Sequence, residues 1–196
     1  MITFSEKARA RLVDMLKAEG REGWAIRIRV KGRDNNTYIY DFRSVEVADK
    51  SAGDEVVDAG DFQVYIDPAS AKRLKGASVD LSVAEMGRFV VENPNPVWQD
   101  EAADKVATVI VDKINPAVAI HSGRVSLVDF NEDIAYIVMQ GGCQGCGLAT
   151  VTLRQGIERL ILDEVPAVKS VVDVTAHDEG ETPFFRRGQV GESPLT

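Results

Sequence analysis

Ile134-Ala135-Tyr136-Ile137-Val138-Met139-Gln140-Gly141-Gly142-Cys143-Gln144-Gly145-Cys146-Gly147 is the stretch on which the reading of this chain turns. Its first seven residues read as the second arm of a β-hairpin, and that arm runs directly into glycine-flanked cysteines. Both cysteines of a 196-residue chain therefore lie within four positions, and four of the seven residues from Gly141 to Gly147 are glycine. A Cys-x-x-Cys pair brings two thiolates close enough to share a metal centre or to form a disulfide. Two sulfurs complete no common site, because structural zinc takes four ligands and cubane iron-sulfur clusters are usually held by four cysteinates. A two-fold dimer would supply two plus two. The glycines let a bulky ligand approach the backbone, and their amides, with the free N–H groups opening a helix at Leu148, favour thiolate over thiol.

Working outward, the hairpin's first arm is Arg124 to Phe130, with Asn131-Glu132-Asp133 as its turn. Upstream, Asp100 begins a helix in which Val106, Val109, Ile110 and Ile114 form an apolar stripe that is expected to stop before Pro116. Downstream, a helix from about Leu148 to Glu164 carries Val151, Leu153, Ile157, Leu160 and Ile161 on its expected core face, and Val168 to Val174 alternates as a last strand. Helix, strand, strand, cysteine loop, helix, strand is a compact unit. A thioredoxin-like site would instead follow a strand of a parallel βαβ unit, and a zinc ribbon would bring two Cys-x-x-Cys knuckles. The motif itself leaves cluster ligation, dithiol redox chemistry, zinc and a structural pair open.

Asn93-Pro94-Asn95-Pro96 breaks the pattern, so the domain boundary is placed between Asn93 and Gln99, giving domains 1–97 and 98–180 with a tail, 181–196. The first domain opens with a Ser5-capped helix to about Glu19, then a half-buried strand, Trp24 to Lys31, with Ile26, Ile28 and Val30 inward and Arg27, Arg29 and Lys31 outward. Gly32 to Asn36 is turn chemistry, and Thr37 to Phe42 returns. Phe62 to Ile66 is a strand, Asp67-Pro68 opens a short helix, and Val79 to Val83 with Arg88 to Val91 forms a further pair. The expected class is α+β.

A formal charge of −8 and a pI near 4.9 argue against nucleic-acid binding, which needs a basic footprint. No apolar run approaches the roughly 20 residues that span a bilayer, and the opening residues lack the pattern of a signal peptide. The expectation is a cytoplasmic protein with no membrane partner. His121 and His177 are isolated, Trp24 and Trp98 read as core or boundary anchors, and Phe184-Phe185-Arg186-Arg187 reads as an incidental tail rather than a client-docking motif.

Taken together, Ile114-Asn115-Pro116, His121-Ser122-Gly123-Arg124-Val125, Gly141-Gly142-Cys143-Gln144-Gly145-Cys146 and Val151-Thr152-Leu153-Arg154-Gln155-Gly156-Ile157-Glu158 resemble the Nfu domain of iron-sulfur biogenesis proteins. The resemblance implies that Cys143 and Cys146 bind a [4Fe-4S] cluster between two subunits, one per homodimer. It further implies that the cluster passes to apo-proteins from upstream donors and that the chain is a carrier rather than an enzyme. Tyr40, Phe62 to Asp67, Val79-Asp80 and Glu92-Asn93-Pro94-Asn95 resemble the A-type carrier (HesB-like) domain. That family has a cysteine where this chain puts Asn35 and a Cys-x-Cys where it has Pro96-Val97-Trp98-Gln99. The first domain thus resembles a degenerate version, kept for contacts with clients or donors, and the fusion is similar to bacterial NfuA-type proteins.

Overall fold

The computed structural model describes residues 1–82, 87–141 and 147–175, with side chains described from 151 onward in the last stretch. The chain is α+β and divides into two compact units, Met1–Gly32 with Tyr38–Pro96, and Arg33–Thr37 with Val97–Thr196.

In the first unit, β1 (Thr3–Phe4) leads into α1 (Glu6–Ala18), which is capped by Ser5 accepting from the Ala8 N–H. Gly20 follows at φ +67, the left-handed residue that ends a helix. Next come β2 (Ala25–Asp34), β3 (Thr37–Val45), β4 (Glu55–Asp58), β5 (Gln63–Ile66), α2 (Pro68–Arg73), β6 (Ser78–Leu81) and β7 (Phe89–Glu92). Strands β3-β2-β5-β4 form one sheet, with β2 and β5 parallel, and β1-β6-β7 form another. Leu12 and Leu16 of α1 pack with Ile26, Ile28, Val64, Ile66 and Val79 in one core.

The strand from Trp24 was expected to be half-buried, with Arg27 on the wet face. Arg27 is instead 6% exposed. Its guanidinium reaches Asp54 at 2.8 Å and the Asp49 carbonyl at 2.9 Å, and it lies 5.9 Å from the centre of the Tyr65 ring. The loop leading to β4 covers this face and brings the carboxylate that a buried cation requires.

In the second unit, α3 (Glu101–Val109) is capped by Asp100, which accepts from the Ala102 and Ala103 N–H groups. The helix does not stop before Pro116. It widens into a π-helical turn, Ile110–Ile114, and resumes as α4 (Asn115–Ala119) with the proline in its first turn, where a missing N–H costs least. Then follow β8 (Gly123–Asn131), β9 (Ile134–Gly141), α5 (Gly147–Glu164) and β10 (Ser170–Asp173). The sheet order is β10-β9-β8, with β10 parallel and β8 antiparallel to β9. Val106, Ile110 and Ile114 of the helix, Val125, Leu127, Ile137 and Met139 of the sheet, and Ile157 and Ile161 of α5 form the second core. Val151 is the exception to the expected face. It is 55% exposed, whereas Leu153, two residues on, packs against the core.

Candidate functional site: the strand end before the cysteine run

Two residues, Glu132 and Asp133, join β8 to β9, both with positive φ (53° and 64°). This backbone matches the right-handed twist of the flanking strands and closes the hairpin tightly. Lys169 pins the turn from β10's side, its N–H to the Asp133 carbonyl at 2.8 Å and its Nζ to the carboxylate at 2.7 Å. At the opposite end of the hairpin, Gly123 faces Gly141 in the ladder, and a register shift between Leu127 and Asp129 adds twist. Core residues Val125, Leu127, Ile137 and Met139 are wholly buried, so the register cannot slip by one residue without turning them outward.

The last ladder residue, Gly141, has φ +63, and a Cβ built on it would lie 2.1 Å from the carbonyl oxygen of Ser122. Ser122 is itself left-handed, at φ +55, in the turn that ends α4. The strand that opens the cysteine run is thus locked against a helix end, and only glycine fits the contact. The next described residue is Gly147, the first of α5. Cys143 and Cys146 lie between them, outside the described residues, as do His177 and Phe184 to Arg187. His121 stands exposed on the turn after α4. Among the described residues, no three His, Cys, Asp or Glu side chains converge on a metal-sized site.

Two asparagines, Asn35 and Asn115, hold the open edge of β8, a role that spacing and periodicity do not show. Asn115 donates from Nδ2 to the Val125 carbonyl at 3.0 Å and accepts from the Val125 N–H at 2.8 Å. Asn35 donates to the same carbonyl at 3.2 Å and accepts from the Leu127 N–H at 2.8 Å, while its own N–H donates to the Leu127 carbonyl at 3.2 Å. The Asn35 carbonyl takes the indole N–H of Trp98 at 2.7 Å, and the Arg33 guanidinium lies 4.5 Å from the Trp98 ring centre. Each side-chain amide imitates a strand and satisfies edge groups that burial would otherwise leave unpaired. One signal was legible: Asn115 is an amide inside an apolar helical stripe.

The family described as Iron-sulphur cluster biosynthesis matches residues 1–103, and that described as NifU-like domain matches residues 106–172. The chain is 35% identical to the Fe/S biogenesis protein NfuA of Stenotrophomonas maltophilia (strain R551-3), over 96% of this chain and 98% of that protein. It is 31% identical to the Fe/S biogenesis protein NfuA of Pseudomonas aeruginosa (strain LESB58), over 94% and 98% respectively. The crystal structure of IscA with the [2Fe-2S] cluster aligns at a TM-score of 0.41 and 26% identity, covering 53% of this chain and 94% of that one.

Proposed function

This chain belongs to the NfuA family of Fe/S biogenesis proteins, and from that premise we propose that it is a homodimeric cluster carrier working in the cytoplasm. Its cargo is one [4Fe-4S] cluster per dimer, held by Cys143 and Cys146 of each copy. The observation that carries this reading is the setting of the Cys-x-x-Cys run. It lies between a strand that ends on a glycine locked against Ser122 and an 18-residue helix that begins on another glycine.

Four thiolates give the bound cargo net negative charge. The start of α5, with roughly half a positive elementary charge on its free N–H groups, offsets part of it. Delivery is ligand exchange. An incoming client thiol gives up its proton as its sulfur bonds iron, a departing cysteinate takes a proton up, and no electrons move. Two ligands from each copy leave a centre that client thiolates can approach one bond at a time. The first unit, by this reading, selects clients or donors, since it keeps the fold without the cysteines.

Anaerobic reconstitution with iron and sulfide tests the reading, followed by the visible spectrum, metal and sulfide content and solution mass of one sample. A brown dimer with about four irons per two chains, as four-cysteine ligation of a cubane requires, supports it. A colourless, reducible monomer points to dithiol redox chemistry, and a colourless zinc-containing dimer to a structural site; either overturns the carrier.

A further inference from the structure

Two strands of the first unit have an open edge. Among the described residues β4 pairs with β5 alone, and β1 with β6 alone. The Ala59 N–H donates to the Phe62 carbonyl at 3.1 Å, in the same register as the β4–β5 ladder. Antiparallel pairs alternate, so Glu55 and Val57 turn their N–H and C=O groups to β5, while Val56 and Asp58 turn theirs outward. On β1, Thr3 and Ser5 donate to the Ala77 and Val79 carbonyls, which sends the backbone groups of Phe4 to the other side.

A groove of about 740 Å³ is lined by both strands, with Ile2 and Phe4 on one side, Val57 to Gly60 on the other, and Arg9 of α1. Its floor is apolar, since Ile2 and Val57 are buried and Phe4 stands edge-on to Phe62. Arg9 is half-buried, and its Nε is covered without a hydrogen-bond partner. A Cβ built on Gly60 would lie 3.7 Å from a terminal nitrogen of Arg9, so the turn after β4 packs beside the guanidinium. Asp58, the carboxylate of this groove, accepts from the Gly60 N–H at 2.8 Å and forms no ion pair with Arg9. A second groove shares Met1 and Ile2 with the first and reaches Lys72 and Lys75, which are likewise in no ion pair among the described residues. Its Asp54 is taken by Arg27, which leaves Glu55 and Asp58 as the acids along a line that holds three cations.

We propose that this groove binds an extended segment of another protein, laid as an added strand on the open edge of β4, with a carboxylate side chain on the Arg9 guanidinium. Outward backbone groups on an edge strand supply a ladder for such a segment. A guanidinium without an anion supplies the selectivity, because its fork matches a carboxylate and a covered polar group gains by being paired. The proposal rests on the carrier reading only for the partner's purpose, as a client or donor chosen by the first unit. Its test uses the full-length apo chain and needs no cluster.

The probes are dye-labelled, terminally blocked hexapeptides of alternating Val and Thr, with Glu, Gln or Lys placed at each position in turn, and binding is read by fluorescence anisotropy. The best Glu peptide is expected to bind about tenfold more tightly than its Gln counterpart, the scale of one charge-assisted hydrogen bond, and the Lys peptide more weakly still. Arg9→Gln should erase that preference. Val56→Pro removes only an outward N–H and should weaken all the peptides, because it blocks the added strand. Circular dichroism and a thermal melt establish that each variant is folded, and Arg9→Lys stands in if Arg9→Gln is not. No saturable binding, no preference for Glu, or a preference that survives both substitutions would overturn the proposal. So would inorganic phosphate competing as well as the Glu peptide, which would make Arg9 a simple anion site. A two-chain mass that falls to one chain in Arg9→Gln would put a second copy in the groove and overturn it too. Reconstitution that yields no cluster would sink the carrier reading and leave these affinities unchanged, so the two failures are distinguishable.

Discussion

The Leu127 N–H donates to Oδ1 of Asn35 at 2.8 Å across 92 positions of sequence, and the Asn35 N–H returns a bond to the Leu127 carbonyl at 3.2 Å. Asn35 is 2% exposed and held at φ 50, a conformation that asparagine tolerates better than most residues. The Arg33–Thr37 segment counts with the second unit.

Removing that amide strands a buried donor and weakens the bonding of the Val125 carbonyl. Asn35→Ala should cost about 1–3 kcal/mol, the usual penalty for an unsatisfied buried group. Urea unfolding gives the total. Native-state hydrogen exchange should show the Leu127 amide losing protection while amides of β5 keep theirs. Equal loss in both places would contradict the assignment.

Arg27 and Asp54 form an ion pair whose side chains are 7% and 2% exposed, and the Ser51 N–H also donates to Asp54 at 2.9 Å. Asp54→Ala leaves the guanidinium buried without its anion and should destabilise by about 3–5 kcal/mol. The double variant Arg27→Met with Asp54→Leu should recover most of that loss, because no charge is left to be solvated. Thermal melts of the three proteins decide it.

A methyl group at position 141 meets the Ser122 carbonyl and a φ of +63 together. Gly141→Ala should cost at least about 1–3 kcal/mol in backbone strain. It should also lower cluster yield on reconstitution by more than that loss of stability accounts for. Gly156 is the contrasting case, exposed in the middle of α5 with nothing within 4 Å of an added Cβ. Gly156→Ala should stabilise by about 0.5–1 kcal/mol. A lower thermal midpoint for Gly156→Ala would mean that this face of α5 is occupied.

Asp67 caps α2, accepting from the Ala69 and Ser70 N–H groups at 3.1 and 3.0 Å and from the Ser70 hydroxyl at 2.7 Å. Burial pushes its carboxyl up, but the Ser70 and Ala69 hydrogen bonds and nearby Arg29 outweigh that and hold it below the ordinary value. A depressed folded pKa means that the unfolded chain takes the proton first as pH falls. The contribution is therefore complete above the unfolded carboxylate value, about 3.9, and is lost as pH drops through the lower folded one. Asp67→Asn keeps a good cap and should flatten this part of the acid limb in urea midpoints measured across that range. An unchanged limb would show that Asp67 does not carry it.

The amino-acid sequence by itself determined what depends on spacing and on neighbours. Ser5, Asp67 and Asp100 mark helix starts because a short polar side chain can bond the free N–H groups two or three residues ahead. Alternation places β8 and β9, helical spacing places α1 and α5, and two cysteines among four glycines mark the chemistry. Tertiary structure alone decided the rest. Arg27 lies buried because Asp54, 27 positions on, comes to meet it. The helix runs past Pro116 because a wide turn ends at Asn115, whose amide finds a strand edge. Asn35 is a clamp because Val125 and Leu127 need partners. Periodicity records which face of an element is apolar. Which distant residue satisfies a buried charge or a bare strand edge is written only in how the elements meet.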